Sequence, residues 1–158
     1  MNKYMEVAIE LSNDNFNKNY GGPFGACVVR DGEIIGKGMN QVIKNCDPTA
    51  HAEVMAIRDA CRNINSHDLT GCTLYTSCYP CPMCLSAIIW SNITMVYYAN
   101  TKEDAADIGF RDEFIYDYLD KLSNNEMDKQ VLNLESMNRD EAIKVFEKYK
   151  AQENKIEY

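Results

Sequence analysis

Apolar residues recur along the chain either three to four residues apart or at every second residue, which are the spacings of helices and strands. Tyr4, Val7 and Leu11 lie at i, i+3 and i+7 and predict the first helix. Two apolar runs joined by Asp31-Gly32, a dipeptide typical of tight hairpins, predict a pair of antiparallel strands. The predicted helices span about 3–16, 47–62, 82–90, 103–108, 113–122 and 139–152, and the predicted strands span 24–30, 33–38, 72–77, 95–99 and 130–134.

The order of these elements predicts an α/β fold. Strands alternate with helices, which indicates a sheet that is mostly parallel apart from the opening hairpin. The second helix follows Asp47-Pro48-Thr49, where Asp47 or Thr49 is predicted to be the cap. A length of 158 residues suits one domain, and no linker or repeat divides the sequence. We therefore expect a single domain over residues 1–158.

The composition is that of an ordinary globular protein, with 46% hydrophobic and 25% charged residues. No apolar run approaches the roughly 18 residues that a membrane helix needs. Acidic residues are mixed into the apolar N-terminal segment, unlike a secretory signal. We expect a cytoplasmic protein with no membrane partner.

The charge is strongly acidic and unevenly distributed. The formal net charge is −8, and residues 101–158 carry 9 basic and 15 acidic side chains. An acidic surface of this kind is typical of a solvated face and repels polyanions. The balance therefore argues against a nucleic-acid partner.

The seven cysteines are an odd number in a chain with no export signal, which favours free thiols over a disulfide framework. Four of them are predicted to pack as small hydrophobic residues: Cys27, Cys46, Cys61 and Cys72. Cys81 and Cys84 differ, because they lie at i and i+3 in the first turn of a predicted helix. A helix N-terminus lowers the pKa of a thiol and favours the thiolate that binds metals.

His51 lies near the start of the preceding predicted helix and completes a set of three zinc ligands with Cys81 and Cys84. Three ligands leave one position of a tetrahedral zinc open to a water, whose pKa the metal lowers to about 7. Glu53 is then the natural proton shuttle. Residues i and i+2 of a regular helix diverge, so His51 and Glu53 converge only if His51 lies in an irregular first turn.

His51-Ala52-Glu53 followed by Pro80-Cys81-Pro82-Met83-Cys84 is the signature of zinc-dependent nucleobase deaminases. The alternative is a closed structural zinc site with Cys78 as its fourth ligand. That alternative gives Glu53 no role, and Cys78 at the end of a strand is better explained by packing. The motifs therefore favour a catalytic site with one zinc ion per chain.

With these motifs the sequence resembles the cytidine deaminase superfamily. The resemblance extends from Gly21–Ala26 through Asp47–Glu53 to the pair Cys81 and Cys84. Transfer RNA adenosine deaminases share much of this pattern, but the whole chain resembles the bacterial guanine deaminases. Phe24 after Gly-Gly-Pro, the segment 106–116 and the C-terminal residues 154–158 carry this second resemblance.

The resemblance implies a three-layer α/β/α sandwich with a five-stranded mixed sheet. It also implies a homodimer in which a C-terminal segment, about 138–158, is exchanged between protomers. The implied reaction is the hydrolytic deamination of guanine to xanthine and ammonia. Other deaminases of guanosine, cytosine or a triazine remain open, as do a tRNA adenosine deaminase and a non-enzymatic zinc protein.

The resemblance further implies a set of substrate contacts. Phe24 and Trp90 would line the base pocket, while Asn40 would hydrogen-bond the base. Asp112 would accept from N1–H and the amino group of guanine, since a carboxylate is an acceptor only. The full implied set is Phe24, Asn40, Ala52, Trp90, Asp112 and Tyr158, with Tyr158 closing the pocket.

Each of these substrate contacts has a structural alternative. Phe24 and Trp90 could be ordinary core residues, and Asn40 could simply end a strand. Asp112 could cap the next helix, and a terminal residue such as Tyr158 is often disordered. One position also departs from the family, which has Glu where this chain has Tyr79.

Overall fold

The structure is a computed structural model that describes residues 1–157. Its strands are β1 (Gly25–Arg30), β2 (Glu33–Met39), β3 (Thr73–Cys78) and β4 (Met95–Asn100). Its helices are α1 (Lys3–Lys18), α2 (Val42–Asn45), α3 (Ala52–Ile64), α4 (Pro82–Trp90), α5 (Lys102–Asp107), α6 (Glu113–Ser123) and α7 (Arg139–Lys150). Apart from the short α2, every helix was predicted from the sequence to within a few residues.

The opening hairpin forms as predicted. Asp31 and Gly32 both adopt positive φ angles, 51° and 81°, which a tight turn between antiparallel strands requires. β1 pairs with β2 on one side and with β3 on the other, and both pairings are antiparallel. Only β3 and β4 run parallel. The prediction of a mostly parallel sheet was therefore wrong, because β1 lies inside the sheet instead of at its edge.

The mixed sheet has four strands in the described residues, in the order β2-β1-β3-β4, and not the five that were expected. The predicted strand at 130–134 does not form. Asp128 turns the chain there, since its side chain accepts from the N–H of Gln130 and its carbonyl from those of Val131 and Leu132. These N–H groups are consequently not free for a strand ladder.

Helices pack on both faces of the sheet. Ala26 and Val28 of β1 join a buried cluster with residues of α3 and with Ile88 of α4. The alternate residues Cys27 and Val29 belong to a second cluster, which includes residues of α1. Successive side chains of a strand point to opposite faces, so the alternation places α1 on one side and α3 and α4 on the other.

Backbone contacts divide the chain into two units, residues 1–116 and 117–158. The first unit contains the sheet and α1 to α5. In the second unit, α7 has no buried residue and exposes apolar side chains, among them Val145 and Phe146. In the described residues, no helix is both long and apolar enough to cross a bilayer.

Candidate active site

His51 is the residue that immediately precedes α3, and its backbone is extended, with φ −70° and ψ 156°. The predicted caps do not act as caps. Asp47 accepts instead from the N–H and the hydroxyl of Thr49, at 2.8 and 2.7 Å, which closes a turn before the helix. On a regular helix the side chains of residues i and i+2 point in different directions. His51 lies outside the helix, so its side chain can approach that of Glu53, as the motif requires.

Cys81 occupies the equivalent place before α4, with φ −67° and ψ 168°, and Pro82 is the first helical residue. Cys84 follows one turn later and is fully buried. Nδ1 of His51 lies 3.5 Å from Sγ of Cys81 and 3.6 Å from Sγ of Cys84. The three ligand atoms all lie within 4.8 Å of one another. One imidazole and two thiols at this spacing fit a zinc ion.

Cys78 is not a member of this cluster. Its Sγ lies 3.4 Å from the carbonyl oxygen of Thr101, to which the thiol donates. Burial raises the pKa of Cys78 to about 11, which favours a protonated, packed thiol. The cluster therefore offers three ligands, as a site with an open fourth position requires.

The two thiols of the cluster interact through a hydrogen bond. A hydrogen bond from Cys84 lowers the pKa of Cys81 to about 4, and the same hydrogen bond raises the pKa of Cys84. The hydrogen bond to Cys81 also raises the pKa of His51. A divalent cation in the cluster would favour deprotonated thiols and a neutral imidazole, because metal binding releases protons from its ligands.

Glu53 is buried beside the cluster, with 6% of its surface exposed. One carboxylate oxygen accepts from the hydroxyl of Thr76 at 3.3 Å, and the other accepts from the thiol of Cys84 at 3.4 Å. Burial is the main reason that the pKa of Glu53 is raised above its ordinary value. A carboxyl group whose pKa is raised in this way is suited to act as a general acid and base.

A cavity of about 640 Å³ opens onto the cluster. Its wall contains His51, Glu53 and Cys81 together with four residues of the predicted substrate set: Phe24, Asn40, Ala52 and Asp112. The structure therefore brings residues from widely separated parts of the first unit around one space. A cavity of this size can hold a small ring compound.

An aromatic pair forms one wall of the cavity. The rings of Phe24 and Phe110 meet edge to face, with centroids 5.0 Å apart. A Cβ atom at Gly22 would come within 2.8 Å of both rings, so this position admits only glycine without displacing them. Asn40 is buried nearby and its Oδ1 accepts from the N–H of Val42 at 3.1 Å.

Residues 1–100 match the family model described as the cytidine and deoxycytidylate deaminase zinc-binding region. The chain belongs to this deaminase family. The matched region includes all three residues of the metal-ligand cluster, and the cofactor of the family is zinc.

Among curated members of the deaminase family, the chain is 43% identical to a guanine deaminase of Bacillus subtilis, over 98% of this chain and 97% of that one. An X-ray structure of guanine deaminase from Bacillus subtilis superimposes with a TM-score of 0.91 at 42% identity, covering 100% and 99% of the two chains. A tRNA-specific adenosine deaminase of Aquifex aeolicus is also 43% identical, but over 61% of this chain and 63% of that one.

One described residue of the predicted substrate set, Trp90, does not line this cavity. Trp90 is 69% exposed and is not among the residues that line it, so a single chain does not place it in the base pocket as predicted. The reason is helical geometry: Ile88 is buried, and a residue two positions later points about 200° away. Tyr158 lies outside the described residues.

Asp112 lies at the cavity, although it also begins α6. Its backbone carbonyl accepts from the N–H groups of Ile115 and Tyr116. Burial raises the pKa of its carboxyl group above the ordinary value. The backbone starts the helix while the residue lines the deaminase cavity, so the two interpretations of Asp112 are compatible.

The sequence analysis assigned no role to three further residues of the cavity wall, Tyr79, Lys102 and Phe110. The first two residues could be found only once the pairing of the strands was known. β3 and β4 are parallel, so their carboxyl ends meet at one edge of the sheet, where ligands of α/β proteins commonly bind. Tyr79 follows β3 directly, and Lys102 follows β4 after one residue.

Proposed function

We propose that this protein catalyses the zinc-dependent hydrolytic deamination of guanine to xanthine and ammonia. The similarity to the guanine deaminase of Bacillus subtilis carries the proposal, because it extends over 98% of the chain and so includes the last third. The similarity to the tRNA-specific adenosine deaminase covers 61%. A net charge of −8 also disfavours a polyanionic tRNA substrate.

His51, Cys81 and Cys84 would hold one zinc ion per chain. When bound, zinc supplies a Lewis acid that lowers the pKa of a water in its open position to about 7. These residues offer three ligand atoms, and two of them, His51 and Cys81, also line the cavity, so a fourth position would be available to a water.

Glu53 carries the protons in this proposal. Its carboxylate takes a proton from the attacking water as the C2–O bond forms, and delivers that proton to N3 of guanine. It then takes the remaining proton of the new C2 hydroxyl and delivers it to the amino group. The C2–N bond breaks, ammonia leaves, and C2 retains the carbonyl oxygen of xanthine. General acid and base work of this kind requires one buried carboxyl in contact with the reacting centre.

The cavity wall provides the groups that would orient the base. The Phe24 and Phe110 rings offer an apolar surface to a planar purine. Asp112 supplies two acceptor oxygens, which match the N1–H and amino donors of guanine. Asn40, just after β2, and Ala52, the first residue of α3, would also contact the base. Cytosine and adenine present no matching pair of donors, so the half-buried Asp112 carboxylate would disfavour them.

The proposal is tested by ammonia release from the zinc-loaded protein supplied with guanine, guanosine, cytosine, a triazine analogue of guanine, and tRNA containing adenosine. We expect guanine to have the highest kcat/KM and xanthine to be its product. A protein that acts on another base of the panel and not on guanine is a different deaminase. A zinc-loaded protein that acts on none of them is not a base deaminase.

Changing Asp112 to Asn should lower kcat/KM for guanine by about tenfold to a hundredfold. The amide offers one donor where two acceptors are needed, so one charge-assisted hydrogen bond is replaced by a clash of two donors. Steady-state kinetics at fixed pH provide the measurement. Glu113→Gln is the matched control, because the neighbouring Glu113 is exposed at the same helix start. Unchanged kinetics in Asp112→Asn would leave the residue with only its role at the start of α6.

We also propose a homodimer in which the segment 138–158 is exchanged between protomers, within a single deaminase domain per chain. The surface of α7 supports this arrangement. Val145 and Phe146 are 63% and 72% exposed, and an amphipathic helix with an unburied apolar side is typical of a segment that packs on a partner.

Changing Phe146 to Asp should convert the dimer to a monomer. A charged side chain in place of an apolar one opposes burial of this face of α7 against a second chain. Light scattering after size exclusion should give twice the chain mass of 18.0 kDa for the original protein and 18.0 kDa for the variant. Glu147→Gln, an exposed position on the same helix, is the control. An original protein that is monomeric at all concentrations would rule out the dimer.

A further inference from the structure

Lys102 has an unusual position in the cavity wall, because its ammonium group lies between two aromatic rings. Nζ is 4.7 Å from the ring centroid of Tyr79 and 4.2 Å from that of Tyr116. Both distances are within the range of cation–π attraction. The two rings therefore hold the charge of Lys102 in one place beside the cavity.

The backbone around this lysine is equally well fixed. The hydroxyl of Thr101 accepts from the N–H of Asp104 at 3.2 Å, and the carboxylate of Asp104 accepts in return from the N–H of Thr101 at 2.8 Å. The N–H of Tyr79 donates to the carbonyl of Asn100 at 2.8 Å. The Thr101–Asp104 bonds cap the start of α5, and the Tyr79–Asn100 bond joins the ends of β3 and β4, which places Tyr79 beside Lys102.

The ammonium group nevertheless has no polar acceptor within residues 1–157. No carboxylate of this part of the chain lies within 4.0 Å of Nζ, and no hydrogen bond is donated by it. An ammonium group has three N–H donors, and the ring faces satisfy them only weakly. Asp112, in the same cavity wall, is close enough for the lysine charge to stabilise its carboxylate.

We propose that Lys102 donates a hydrogen bond to the carbonyl oxygen O6 of guanine. O6 lies next to N1–H, one of the donors from which Asp112 would accept. Lys102 would thereby determine which group is required at C6. The inference rests on the proposed function. Guanine presents the O6 acceptor beside the N1–H donor, and the wall presents a cationic donor and an anionic acceptor in the same cavity. A base with an amino group at C6 would direct its donors at the ammonium and be rejected.

Tyr79 has a specific role in this arrangement. Its ring forms one side of the aromatic pair around Lys102. The same ring meets that of Tyr98 edge to face, with centroids 5.0 Å apart, which fixes its orientation. A glutamate at position 79 would offer the ammonium a competing carboxylate, whereas a tyrosine ring leaves its N–H donors available to a ligand.

The test compares guanine with 6-thioguanine, which keeps N1–H and the amino group but replaces O6 by sulfur, a weaker acceptor. In Lys102→Met, kcat/KM for guanine should fall by about tenfold to a hundredfold, while kcat/KM for 6-thioguanine should change by less than about threefold. The preference of the original protein for guanine should shrink accordingly. Lys3→Met is the matched control, because Lys3 also lies over a tyrosine ring, that of Tyr4 at 4.8 Å, but does not line the cavity.

Zinc content and melting temperature are measured on the same preparations to establish that Lys102→Met is folded. An equal fall in kcat/KM for both bases would mean that Lys102 only shapes the cavity wall. An unchanged kcat/KM for both would mean that Lys102 does not contact the base. Either result overturns the inference while the proposed function stands. If the original protein does not deaminate guanine at all, the proposed function is wrong. The panel of bases tests that point separately from the Lys102 variant.

Discussion

Replacing Glu53 with Gln should leave about one zinc ion per chain bound while lowering the rate of guanine deamination by about 10² to 10⁴. In the proposed mechanism the carboxylate moves two protons in each turnover, and a glutamine side chain of nearly the same shape can move neither. Its oxygen can still accept from the hydroxyl of Thr76, so the local packing is retained. Metal analysis and ammonia release on the same preparation provide the measurement.

Glu10→Gln in α1 serves as the control for Glu53→Gln, since it removes a carboxylate that is exposed and does not line the cavity. It should alter neither zinc content nor rate. Loss of zinc from Glu53→Gln would place the carboxylate among the metal ligands, and the assignment of Glu53 as proton carrier would then be abandoned. Retention of full activity would exclude any role in proton transfer.

The metal-ligand cluster could be predicted from the sequence because its geometry is local at each end. His51 and Cys81 each precede a helix in an extended conformation, and Pro82 fixes the first turn after Cys81. The sequence also posed a problem, because the side chains of His51 and Glu53 could not converge on a regular helix. The structure resolves that difficulty by leaving His51 outside α3.

The pairing of strands was harder to predict, because it depends on contacts between distant parts of the chain. Nothing local to β1 reveals that β3 will pair with it antiparallel on the side away from the hairpin. The segment 130–134 has an apolar composition suited to a strand, yet its N–H groups turn back to Asp128. Asp128, two residues outside the segment, thus accepts through its side chain and its carbonyl the hydrogen bonds that a strand would need.

In the cavity wall, too, some residues could be predicted from the sequence and others depend on how distant strands pair. Phe24 and Asp112 were predicted from a resemblance and lie at the cavity, whereas Trp90 was predicted in the same way and is exposed in the single chain. Lys102 could not be assigned without the parallel pairing of β3 and β4, which brings it beside Tyr79. Residues whose roles depend on sheet order are those that a single sequence does not reveal.

Changing Cys84 to Ala should empty the metal site and abolish deamination, because two ligands cannot hold zinc in a site built for three. The variant should also melt at a lower temperature, since bound zinc contributes to the stability of the folded chain. Cys81→Ala should behave in the same way. Zinc content per chain, measured after gel filtration, is the primary measurement.

Cys78→Ala is the matched comparison for Cys84→Ala, since Cys78 is also buried and lies only three residues before Cys81. It should retain zinc, because its thiol donates to the carbonyl of Thr101 and not to the cluster. If Cys78→Ala were metal-free, the ion would have four protein ligands and no position open to water. A closed site of that kind is structural, and Glu53 would then have no water to deprotonate. The zinc content of this single variant therefore decides between a catalytic and a structural metal site.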